Sequence, residues 1–171
     1  MTRPVQLSSA SVEHYTPQEY ADAARETMGS IDLDPASCEA ANTAVIRAKI
    51  YYDEKENGLA QNWFGNVYLN PPGGTGQIAL WWATLADRYA KGLVKQAVFM
   101  AFNLEVFRYA QRYDVAHPLD FPVCFPKDRI RFLDPDLKPQ KSPAHPSAIV
   151  YLGNSRDSFD LAFSKFGRVI K

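Results

Sequence analysis

The spacing of apolar positions changes several times along the chain, and each change marks an element. Tyr20, Ala24 and Met28 recur at helical spacing. Ahead of them, Thr16 reads as an N-cap, Pro17 as the first helical residue and Glu19 as the partner of a capping box, with Gly29 as the stop. Ile31 and Leu33 alternate with Asp32 and Asp34, which predicts a short strand ending at Pro35, since proline cannot donate to a ladder. Residues 38–49 are alanine-rich and predict a helix, and 50–52 a short strand. Asn57-Gly58 is a turn signal. Val67-Tyr68-Leu69 predicts a strand that stops abruptly at Asn70-Pro71-Pro72-Gly73-Gly74. Ile78, Trp81, Trp82, Leu85 and Tyr89 return to helical spacing, closed by Gly92. The apolar run 94–102 predicts a strand, and Asn103 caps a helix carrying Leu104, Phe107 and Gln111. Residues 121–133 and 147–152 then read as strands on either side of a proline-rich loop, before a last helix over 157–166 and a final Val169-Ile170. Strands alternating with helices predict one α/β domain, a mostly parallel sheet with helices on both faces.

Composition narrows the class. With 46% hydrophobic and 13% aromatic residues in 171, the chain is neither disordered nor of low complexity. Lys and Arg balance Asp and Glu at 19 each, which excludes a strongly basic coat protein and a polyanion mimic. Two cysteines and three histidines, in no metal-binding spacing, predict neither a disulfide framework nor a metal. No apolar run is long enough to span a membrane. Residues 1–12 read as a loose polar arm without the apolar stretch of a signal peptide, and 13–171 as the domain, so a cytoplasmic protein is expected. The charge balance hides an asymmetry. Residues 1–60 hold ten acids against five bases, and the remainder nine acids against fourteen bases. A cationic ligand at one end and an anionic one at the other would use that difference.

Three segments carry candidate chemistry. Asn70-Pro71-Pro72 follows a predicted strand, where α/β folds place ligands. Its two prolines stiffen the backbone and remove donors, leaving the Asn70 side-chain oxygen and nearby carbonyls as an array of acceptors for an amine. Asp34-Pro35-Ala36 ends another strand with a carboxylate suited to an ammonium or a hydroxyl. Thr16-Pro17 is the third, though helix capping already accounts for it. His14 reads as a surface group, Cys38 and Cys124 as small buried apolar residues, and Trp81 and Trp82 as core, with room for one of the two to face the site.

In order, these pieces read HYTPQEY, IDLDPAS, ENGLAQNW and VYLNPPGG. The series resembles the Dam-type phage DNA N-6-adenine methyltransferases, a branch of the class I S-adenosylmethionine-dependent enzymes, over about residues 14–170, and continues through RIRF and SPAHPSAIVYLG. The resemblance implies a Rossmann-like methyltransferase domain. It implies that Tyr15, Thr16, Pro17, Asp34, Pro35, Ala36, Asn57 and Leu59 border S-adenosylmethionine, and that Asn70, Pro71, Pro72 and Gly73 form the catalytic loop. Two positions depart from the pattern. Asn57 stands where the family has Asp, and Gly73 where it has an aromatic, usually Tyr, that stacks on the flipped base, a role for which Tyr15 is the expected replacement and Trp81 and Phe102 the alternatives. The implied reaction is methyl transfer to the exocyclic amine of adenine in DNA, with the Asn70 oxygen and the Pro71 carbonyl holding the amine hydrogens. Lys127, Arg129, Arg131, Lys138 and Lys141 would meet phosphates. A catalytically silent DNA-binding relative, and transfer to a modified base or to RNA, are the alternatives.

Overall fold

The computed structural model describes residues 14–74, 76–141 and 145–171, and the expected arm at 1–12 lies outside them. Among the described residues, seven strands form one sheet: β1 (Leu33–Asp34), β2 (Ile50–Tyr51), β3 (Gly65–Leu69), β4 (Val94–Ala101), β5 (Val123–Pro126), β6 (Ala148–Leu152) and β7 (Gly167–Ile170). Their order is β2-β1-β3-β4-β6-β5-β7. The α-helices are α1 (Gln18–Met28), α2 (Glu39–Ala41), α3 (Gln77–Ala90), α4 (Glu105–Tyr109) and α5 (Arg156–Phe163).

Strands β3, β4 and β6 are apolar along nearly their whole length because both faces are covered. Tyr68, Val98, Met100, Ile149 and Tyr151 project into one core, with Tyr20 and Ala24 of α1 and Phe159 and Phe163 of α5. Their neighbours Val67, Leu69, Ala97, Phe99 and Val150 project into a second core, with Trp82 and Leu85 of α3 and Val106 of α4. This two-residue alternation puts helices on both faces, as the sequence predicts.

The expected mostly parallel sheet does not form. Pairs β2–β1, β1–β3 and β3–β4 are parallel, whereas β4–β6, β6–β5 and β5–β7 are antiparallel. The sheet is mixed, and its antiparallel ladders hold the larger share of paired residues. A parallel return needs a crossover helix. The described residues between β5 and β6 hold none, so β6 comes back antiparallel between β4 and β5.

Three local expectations also change. Thr16 does not cap α1: Pro17 occupies the cap position with no side-chain bond, and the Thr16 hydroxyl pairs with the Tyr68 hydroxyl at 2.5 Å. The alanine-rich stretch splits into α2 and a wide π-helical turn, Asn42–Ile46, because the Asn42 side-chain oxygen accepts the Ala48 N–H at 2.9 Å and Arg47 turns left-handed at φ 53°. The strand expected over 121–133 stops at Pro126, since Ile130 and Phe132 leave the ladder to pack against the α1 core. That alternation holds even so, with Arg129 and Arg131 exposed between the two buried residues.

Candidate active site at the strand tips

The chain leaves β1 toward β2 on one side and leaves β3 toward β4 on the other, so the sheet changes direction of winding between β1 and β3. The crevice beyond the strand ends at such a point is where open α/β sheets bind ligands. Asp34 ends β1 and Asn70 directly follows β3. A cavity of about 460 Å³ lies there. Tyr15, Thr16, Asp34, Pro35, Ala36, Asn57, Leu59, Asn70, Pro71, Pro72 and Gly73 all line it. Segments up to 58 positions apart in sequence therefore meet around one space. Pro17 is the exception among the expected cofactor residues: it starts α1 and faces a different groove, shared with Arg129 and Arg131.

Close backbone packing builds one wall. Gly58 lies so near the Pro35 carbonyl that a Cβ would collide with it. The Gly58 carbonyl in turn accepts the Trp63 indole N–H at 2.8 Å. Asn57, just before, sits left-handed at φ 53° and ψ 81°. Asparagine tolerates that region well, so the departure from Asp at this position preserves the turn.

Asp34 is 3% exposed. One carboxylate oxygen accepts the Ala36 N–H at 3.2 Å. Burial pushes its carboxyl up to about 7, because the charged form loses water and this hydrogen bond only partly compensates. No lysine or arginine is among the described residues lining the cavity, and Asp53 and Glu54 add two further acids. A cationic or hydroxyl-bearing ligand is what such a lining favours.

Asn70 is held in one orientation. Its Nδ2 donates to the His14 carbonyl at 2.8 Å and reaches the Thr16 hydroxyl oxygen at 3.4 Å. A carbonyl only accepts, so the amide nitrogen must face His14 and the oxygen must face away. That oxygen, Oδ1, is closed off from solvent and has no partner. An unmatched buried acceptor costs about 1–3 kcal/mol, which makes it a strong place for an incoming N–H. Thr16 is itself fixed by Tyr68, whose hydroxyl is raised well above its usual range by burial and stays protonated.

Gly73 is exposed, carries no ring, and has nothing within 4 Å of where a Cβ would sit. Other aromatic residues line the cavity instead: Tyr15, Tyr68, Trp81 and Phe102. Trp81 and Trp82 are both core, as expected, and Trp81 also borders the cavity, stacked on Trp63 at 6.0 Å and 25°.

Several lining residues escaped sequence reasoning. Cys38 is not a buried apolar residue: it lines the cavity, its Sγ donates to the Tyr15 hydroxyl at 3.2 Å and accepts the Ala41 N–H at 3.5 Å. Asp53 follows β2 much as Asp34 ends β1, so the signal of an acid at a strand tip was present there too. Tyr68 and Gln77 carry no comparable signal.

Lys127, Arg129, Arg131, Lys138 and Lys141 are all exposed. Arg129, Arg131 and Lys141 border a groove of about 950 Å³ beside the start of α1, with Asp128 and Glu19 among them. This basic segment is tied to the cavity wall: Tyr15 and Leu133 exchange backbone bonds of 2.9 and 2.8 Å, and a His14 ring nitrogen pairs with the Gln140 side chain at 2.9 Å.

No protein-family model, curated protein or solved structure matches the chain. Among the described residues, no helix is long and apolar enough to cross a membrane and no group of His, Cys, Asp or Glu is placed to hold a metal. The functional reading therefore rests on the geometry of the cavity and on the order of its segments.

Proposed function

We propose that the chain is an S-adenosylmethionine-dependent methyltransferase on a Rossmann-like scaffold, acting on the exocyclic amine of adenine in DNA. The observation that carries the reading is the Asn70 amide, pinned through its nitrogen and presenting an unpartnered oxygen beside the cavity that also holds Asp34. The buried carboxylate and the absence of lining lysine or arginine among described residues fit a ligand that carries an ammonium and a sulfonium. Tyr15, Thr16, Asp34, Pro35, Ala36, Asn57 and Leu59 would hold it. Bound there, the cofactor supplies an electrophilic methyl group.

The protein's own part is orientation. The adenine amine is a poor nucleophile because its lone pair is delocalised into the ring. An amine that reaches Oδ1 finds it ready to accept one hydrogen, and the Pro71 carbonyl is the candidate for the other. Both bonds favour a pyramidal nitrogen whose lone pair is free to attack; the methylated amine is then cationic and acidic enough to give its surplus proton to water, so no strong base is required. Such positioning is worth about 7–11 kcal/mol in good cases. Extruding the base costs a few kcal/mol, which phosphate contacts from Arg129, Arg131 and Lys141 would offset.

The open space at Gly73 favours a second reading, transfer to a base that already carries a modification. One experiment addresses both. The protein is incubated with methyl-labelled S-adenosylmethionine and unmodified DNA, and the digested nucleosides are identified. Label in N6-methyldeoxyadenosine is the expected result. Label only with pre-modified DNA selects the second reading, and cofactor binding without transfer to any nucleic acid overturns both in favour of a silent relative.

A further inference from the structure

We infer that the target base is held against Phe102, in a second cavity next to the cofactor cavity, and not over Gly73; this rests on the reading just given. The second cavity, also of about 460 Å³, is bordered by Gly74, Ile78, Phe102, Asn103, Tyr109 and His145. It lies within the size range of small-ligand sites, about 300–1,000 Å³. Phe102 borders both cavities, directly beyond the end of β4.

Its chemistry is that of a nucleobase. A base needs a flat apolar face, hydrogen-bonding groups at its edge, and a phosphate-tolerant mouth. Gly73 offers no such face. Trp81 is already stacked on Trp63, and Tyr15 lines the cofactor cavity but not the second one. Tyr109 has the guanidinium groups of Arg108 and Arg112 against its ring at 4.3 and 4.4 Å. Phe102 is part-exposed: it packs against the edges of both cores and turns its remaining surface to the two cavities. At the edge, the Asn103 oxygen accepts the Glu105 N–H at 2.9 Å, which leaves its amide nitrogen as a donor, and His145 is exposed. At the mouth, Glu105 is neutralised by Arg108 at 2.5 Å, so it presents no bare carboxylate to a phosphate. Phe102 and Asn70 both line the cofactor cavity, so a base against Phe102 can turn its amine toward the cofactor side.

Two variants test the placement. Phe102→Leu keeps apolar bulk and removes the ring; His145→Trp fills the second cavity from an exposed position without disturbing either core. Binding of S-adenosylhomocysteine is followed by calorimetry, and binding of an end-labelled single-stranded deoxyadenosine oligonucleotide by anisotropy in its presence. Both variants are expected to bind the oligonucleotide about tenfold more weakly, the size of one stacking contact, and His145→Trp, which lies outside the cofactor cavity, to bind S-adenosylhomocysteine within about twofold of the wild type. Unchanged oligonucleotide affinity in both variants, with S-adenosylhomocysteine bound normally, overturns the placement and leaves the methyltransferase reading standing. Failure of the wild type to bind S-adenosylhomocysteine overturns that reading itself.

Discussion

The cavity at the strand tips and the basic segment at 127–141 use charge in opposite ways. Asp34 is buried, sits among fixed dipoles, and carries a strongly raised carboxyl. The five basic residues are exposed and keep their water. A buried charge interacts strongly with one partner and tolerates little change around it; exposed charges act additively, at long range, and are screened by salt. The first arrangement suits one small cation in one pose, and the second a polyanion in many registers. The Tyr15–Leu133 pairing joins the two regions.

The sharpest break is Asn70→Ala. It removes the unpartnered acceptor and is expected to lower turnover about 100- to 1,000-fold, as loss of one preorganised polar group in other active sites does. Affinity for S-adenosylhomocysteine should stay within about twofold, since the group is aimed at the substrate. Near-normal turnover would sink the amine mechanism.

Gly58→Ala tests how intolerant the buried wall is. The added methyl meets the Pro35 backbone, which cannot swing away as a side chain can. A loss of about 2–4 kcal/mol in denaturant unfolding is expected, together with weaker cofactor binding. A Gly92→Ala control, whose Cβ meets nothing within 4 Å but whose φ is 73°, reports backbone strain alone and should cost less.

Asp34→Asn separates charge from shape. The carboxyl titrates near 7 in the folded protein against a reference value of 3.8. Between those two pH values the folded state holds a proton that the unfolded chain has lost, so stability declines as pH rises through that window and levels off above about 7. The variant should lose this decline, and its stability relative to the wild type should improve from about pH 4 to about pH 7 in denaturant titrations. Cation affinity runs the other way: wild-type binding of S-adenosylmethionine should strengthen up to about pH 7, and the variant should bind about tenfold or more weakly with a flat profile. A wild type whose affinity is flat with pH would remove Asp34 from the cofactor contact.

The smallest single effects belong to the basic segment. Arg129→Gln, Arg131→Gln and Lys141→Gln should each weaken DNA binding a few-fold and reduce the salt slope by about one, while cofactor affinity is untouched. If the slope does not move in any of them, DNA does not cross this face.

Much of this was legible in the chain because it depends on neighbours in sequence. Two-residue alternation and continuous apolar runs mark β3, β4 and β6, and glycines at 29 and 92 stop the helices where left-handed backbone is needed. Acid and amide at strand tips mark Asp34 and Asn70, because a strand's last residue faces the ligand side of an α/β sheet. What the tertiary structure alone decided depends on distant partners. Thr16 looks like a helix cap until Tyr68, 52 positions away, takes its hydroxyl. Which way the Asn70 amide faces is set by a carbonyl 56 positions back. Cys38 gains a role only when Tyr15 comes beside it. Strand direction beyond β4 follows from how the chain returns, which local propensity does not encode. Hydrophobic pattern and turn chemistry are properties of short segments, whereas hydrogen-bond partners and burial are properties of the assembled chain.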